Sequence, residues 1–115
     1  MNEFLLVFRN DAAAAQAQMS PDQMQAMMKT WMDWIGGIAA QNKLVSSGNR
    51  LAPTGKVLAP NNVITDGPFV EIKEAIGGYI IVKADSLEEA TTLSHGCPIL
   101  DVNGTVEIRM IITMD

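Results

Sequence analysis

Glu107 and Arg109 stand two residues apart in the apolar stretch Thr105 to Thr113. On an extended chain that spacing puts both on one side, with Thr105, Ile111 and Thr113, while Val106, Ile108, Met110 and Ile112 take the other. A carboxylate and a guanidinium in a half-apolar row can line a polar site; as a plain exposed ion pair they would matter little. Glu107 and Arg109 are therefore candidate ligand-binding residues, and Arg50 is a third. Tyr79 follows Gly77-Gly78. Glycines inside a strand let a backbone or a ligand come close, so Tyr79 can present its hydroxyl to a bound molecule or pack half-buried. Asp66 precedes Gly67-Pro68. Its carboxylate is the catalytic candidate, able to serve as a base or hold a cation, although the same three residues also make an Asx-type turn with no further purpose.

Other reactive types carry less. Glu71 and Lys73 share a face if their segment is extended, where Lys73 would favour the charged form of Glu71 or hold an anion; solvated charges are the commoner outcome. The single histidine, His95, suits the C-terminal turn of a short helix, and one histidine makes no metal site. The single cysteine, Cys97, excludes an internal disulfide and lacks the cation or helix N-terminus that activates a thiol, so it reads as a buried structural residue. Phosphate loops, dinucleotide fingerprints, nucleophile elbows and paired-histidine metal spacings are absent from the sequence, and no cofactor or metal is expected.

The elements that must position these groups are legible in the apolar pattern. Phe4 to Phe8 reads as a buried strand, with Phe4, Leu6 and Phe8 on one side and Glu3, Leu5, Val7 and Arg9 on the other. Asn10 to Gln18 is loop or an irregular helix start. Ser20-Pro21-Asp22-Gln23 is a capping box with proline at the first helical position. The stripe Met24, Met27, Met28, Trp31, Ile35 and Ile38 follows, carrying a helix to about Gln41. Gly36-Gly37 inside it implies a close backbone approach or a bend. Trp31 belongs at the centre of the stripe, and Trp34 at its edge, where it would suit an interface or a pocket rim. Leu44-Val45 is followed by turn residues and then Asn49 to Ala52, in a stretch punctuated by Pro53, Gly55 and Pro60; Lys56 to Leu58 reads as a short strand or a hairpin arm, and Val63 to Thr65 as another strand. Asp66-Gly67-Pro68 reads as a turn, Phe69 to Lys73 as an extended or hairpin segment, and Gly77 to Lys83 as the central strand. Ser86-Leu87-Glu88-Glu89 is a second capping box, opening a short helix that Gly96 and Pro98 end.

The order is strand, long helix, strands with a turn-rich insert, short helix, strand. It predicts an α+β, ferredoxin-like split βαβ fold over residues 1–115 as a single domain, an antiparallel sheet with both helices on one face. The length of 115 residues and 48% hydrophobic content support a core without staples. Eight Lys and Arg against thirteen Asp and Glu give a net charge of −5, which argues against a nucleic-acid surface and against a polybasic membrane patch. No apolar run approaches a membrane span and no leader is visible, so the expected location is cytoplasmic.

Val63-Ile64-Thr65-Asp66-Gly67-Pro68-Phe69-Val70-Glu71-Ile72-Lys73-Glu74, followed by Ile76-Gly77-Gly78-Tyr79, resembles the signature of the YCII-related, or DGPF-domain, proteins. Ala84 to Ala90, Gly96-Cys97-Pro98 and Gly104 to Arg109 resemble the later blocks of that family in order, so the likeness covers nearly the whole chain. It implies a ferredoxin-like fold assembled as a dimeric α/β barrel and a small-molecule or enzymatic role without a defined reaction. The YCII branch has a His on the long helix and an Asp after the second helix as its suspected catalytic pair. Here the helix stripe offers Met and Gln, and the later stretch reads His95-Gly96-Cys97-Pro98, so that pair does not carry over.

The residues reach the same assembly independently. A helix-free sheet face holding Leu5 and Val7 is too apolar for water, and a second copy is its simplest cover. The expectation is a homodimer enclosing a cavity lined by Arg50, Asp66, Tyr79, Glu107 and Arg109, which binds a small organic molecule with or without turning it over. The alternative is a non-catalytic interaction or regulatory module that docks a protein through Met32 and Trp34.

Overall fold

The computed structural model describes residues 1–10, 20–52, 54–67 and 76–114. In chain order these form β1 (Asn2–Arg9), α1 (Pro21–Ala40), β2 (Leu44–Arg50), β3 (Gly55–Ala59), β4 (Val63–Gly67), β5 (Ile76–Ala84), α2 (Leu87–Ser94) and β6 (Thr105–Met110), with 3-10 turns at Pro60–Asn62 and Pro98–Val102. The readings made on Asn10 to Gln18 and on Phe69 to Lys73 lie, but for Asn10, outside the described residues.

Helix α1 starts where its capping box requires. The Ser20 hydroxyl accepts from the Gln23 amide at 3.2 Å, and the Gln23 side-chain oxygen accepts from the Ser20 amide at 2.8 Å. Both satisfy amides that a helix start otherwise leaves unpaired. In α2 the Ser86 hydroxyl likewise accepts from the Glu89 amide at 3.1 Å. The Glu89 carboxylate does not close a second box, because Lys43, just before β2, takes it at 2.6 Å. Gly36 and Gly37 neither break α1 nor admit a neighbour: a Cβ added at either would meet nothing within 4 Å.

Four strands form one antiparallel sheet in the order β2-β5-β1-β6. With α1 joining β1 to β2 and α2 joining β5 to β6, this is the ferredoxin-like arrangement. Strands β3 and β4 form a separate two-stranded sheet between β2 and β5. The even positions of β1 and β5, Phe4, Leu6, Phe8, Ile80, Val82 and Ala84, make the core with Ile38 of α1, Ala90 of α2, Cys97 and Ile99. Both helices therefore cover one face. The molecule measures 45 × 42 × 18 Å.

Two parts of the apolar pattern are not buried as expected. Met24 and Met28 are exposed, because the partly buried residues of α1 that pack on the core are Trp31, Trp34 and Ile35, all in its second half. Met110 and Ile112 are exposed too. Strand β6 ends at Met110, and only Val106 and Ile108 of that row pack on the core.

Among the described residues, no helix is long and apolar enough to cross a membrane.

Candidate ligand-binding face

The odd positions of β1 and β5 turn away from the helices, and the register builds their face row by row. Val7 of β1 lies between Tyr79 of β5 and Glu107 of β6, and Leu5 lies between Ile81 and Arg109. Glu3 lies opposite Lys83. Leu5, Tyr79 and Ile81 are half-buried, and Val7 is buried although no helix among the described residues covers it. The surface is thus an apolar centre with an ionic border.

That border has a definite arrangement. One Glu107 carboxylate oxygen lies 3.3 Å from the Arg9 guanidinium and the other lies 3.7 Å from that of Arg109. Glu107 is half-exposed, while 74% of the Arg109 side chain is exposed. A guanidinium has five donors, and the contact with Glu107 engages only one of its nitrogens, so Arg109 keeps donors to offer. On the other side of the centre, the Asn49 side-chain amide donates to the Tyr79 hydroxyl at 3.1 Å. Tyr79 and Glu107 lie two strand spacings apart, about 10 Å, a span that fits a small organic molecule between them.

Of the five residues expected to meet, the chain brings three together: Tyr79, Glu107 and Arg109. Arg50 lies opposite Gly78, in the phase of the sheet that faces the helices, so it does not join them. Asp66 lies in β4 opposite Lys56, within the separate two-stranded sheet. Glu71 and Lys73 lie outside the described residues.

Asn49 and Arg9 were missed as site residues. Arg9 was visible in the alternation of β1. Asn49 was hidden by an irregularity: Gly48 has φ +64° and the β2–β5 register shifts between Ser46 and Asn49, which moves Asn49 onto the Tyr79 face. Only glycine fits at 48, because a Cβ there would fall 1.7 Å from the Tyr79 carbonyl oxygen. The close approach expected at Gly78 is real, but the visitor is backbone, not ligand: its Cβ would lie 2.9 Å from the Asn49 carbonyl oxygen.

The other reactive groups lie behind the sheet or elsewhere. Cys97 is buried in the core, and burial pushes its thiol up to about 12, so the neutral thiol persists at physiological pH. His95 caps α2 and is exposed. Trp34 stacks edge-on against Phe8 and Trp31, with ring centres 5.9 and 5.7 Å away, and its indole nitrogen donates to the Leu93 carbonyl at 3.0 Å. It ties α1 to α2 instead of marking a rim.

The family model of the YCII-related domain matches residues 3–115. The chain belongs to the YCII-related domain family. No curated protein matches this YCII-related chain. One similar solved structure is that of 5-chloro-2-hydroxyhydroquinone dehydrochlorinase (TftG) from Burkholderia phenoliruptrix in complex with 2,5-dihydroxybenzoquinone. It is 16% identical, with a TM-score of 0.48, over 93% of this chain and 90% of that one. So distant a likeness transfers no site to the YCII-related chain.

Proposed function

We propose that the protein is a homodimer that binds a small organic molecule on the open sheet face, enclosed between two copies. The supporting observation is the face itself: Leu5, Val7, Tyr79 and Ile81 form an apolar floor that no helix among the described residues covers, bordered by Arg109, Glu107 and the Asn49–Tyr79 pair. Apolar floor with a few convergent polar groups is the usual composition of a small-molecule site. The free donors of Arg109 suit a carboxylate, a phenolate or a carbonyl at the polar end of that molecule. Asp66 would reach such a cavity only if the hairpin carries it there, and it is the residue to test for catalysis. A lone buried thiol fits a reducing, cytoplasmic setting.

A thermal-shift panel of small organic acids and their neutral counterparts tests the reading. A true ligand at a hundredfold excess over its Kd stabilises the protein by about 2.7 kcal/mol. Arg109→Ala should remove that gain while the variant still folds, since the side chain is largely exposed in the single chain. If no compound separates wild type from Arg109→Ala, the binding assignment fails. The alternative, a protein-docking module, keeps only Met32 of its two anchors, because Trp34 is engaged within the chain.

A further inference from the structure

We infer that the β3–β4 hairpin, residues 55–67, is a clasp that packs its outer face on a second copy of this chain; the inference rests on the homodimer proposed above. The ladder is complete from Gly55↔Gly67 to Ala59↔Val63, yet it belongs to neither edge of the main sheet. A two-stranded hairpin alone is marginal in water at best and needs an apolar surface to lie on.

Its two faces differ. Val57, Ala59 and Thr65 share one face and are half-buried, with Val63 on the same face 50% exposed, and the Thr65 hydroxyl is buried with no hydrogen-bond partner. Leu58 and Ile64 are direct cross-strand partners on the other face, and they remain 70% and 60% exposed. Large apolar side chains on both faces of a ribbon call for a surface on each side, and the described residues of the chain leave one side open.

Area identifies the occupant. Four strands at about 4.8 Å spacing and roughly 27 Å of β1 give a sheet face of about 500 Å². A stable interface needs about 800 Å² from each partner. One face of a five-residue hairpin adds about 170 Å², and in a two-fold dimer each subunit both gives a hairpin and receives one. The two contributions bring the interface to the size of a stable dimer. The hairpin also follows directly from β2, an edge strand of the same sheet.

Sedimentation equilibrium on the wild type and on the double variant Leu58→Ser/Ile64→Ser tests the clasp, with circular dichroism to confirm folding. The expected result is a wild-type dimer and a folded variant whose dimer Kd rises tenfold or more. A wild-type dimer with an unchanged Kd in the variant overturns the clasp and leaves the sheet-face pairing standing. A wild-type monomer overturns both. Should the variant not fold, hydrogen exchange on the wild type decides: hairpin amides protected only at concentrations where the dimer forms support the clasp, and protection indifferent to concentration overturns it.

Discussion

Lys43 and Glu89 show how one pair of side chains joins two elements. Lys43 sits one residue before β2, Glu89 sits in the first turn of α2, and they meet at 2.6 Å. The hydrogen bond from Lys43 is the main reason that the Glu89 carboxyl is held below its ordinary 4.5. A depressed carboxylate stabilises the fold above its unfolded value, and that stabilisation disappears as pH falls through the folded value. Glu89→Gln should therefore be less stable than wild type at neutral pH, and the difference should close on acidification below 4.5. Urea midpoints across a pH series measure this; a gap independent of pH would mean that Lys43 contributes nothing through charge. The sequence hid this pair. Glu89 stands where a capping box places an acid, three residues after Ser86, and nothing local shows that a lysine from a distant strand competes for it.

At the scale of elements, the sequence was most readable where a local rule decides the outcome. Ser20, Pro21 and Gln23 determine the start of α1 within its own first turn, and alternation along β1 and β6 assigns their faces. Two kinds of fact escaped it. Periodicity shows which residues share a face but not how far the neighbouring layer extends, so Met24 and Met28 continue the stripe of Ile35 and Ile38 and still meet water. Phase is lost at a bulge, so the irregularity at Gly48 concealed Asn49 and carried Arg50 to the wrong side. The glycine pair in α1 illustrates the remaining ambiguity, since sequence alone could not separate close packing from tolerance. With no atom within 4 Å of an added Cβ and helical backbone on either side, both positions accept alanine. Gly36→Ala and Gly37→Ala should each stabilise the protein by about 0.8–1 kcal/mol, close to 2 together. Thermal or urea unfolding of the single and double variants gives the values. A loss at either position would show that the helix must yield there.

The whole molecule poses the question of what covers its sheet. Its thickness is 18 Å against in-plane dimensions of 45 × 42 Å, as expected of one helix layer on one sheet, and the described residues put no helix on the second face. Its radius of gyration of 15.5 Å exceeds the value of about 13 Å typical of a compact chain near this length. Leu5 lies near the centre of the open face, between Ile81 and Arg109, and turns away from the core. In a monomer, Leu5→Lys is a change at a half-exposed surface position, which alters stability by about 0.5 kcal/mol or less. In a dimer paired through this face, it buries a cation in the apolar centre of the interface. The wild type should then scatter light as about twice 12.4 kDa, with a melting temperature that rises with protein concentration. Leu5→Lys should scatter as a monomer and melt at a temperature independent of concentration. Equal masses and equal, concentration-independent melting for the two proteins would mean that water, and no second copy, meets Leu5, Tyr79 and Ile81.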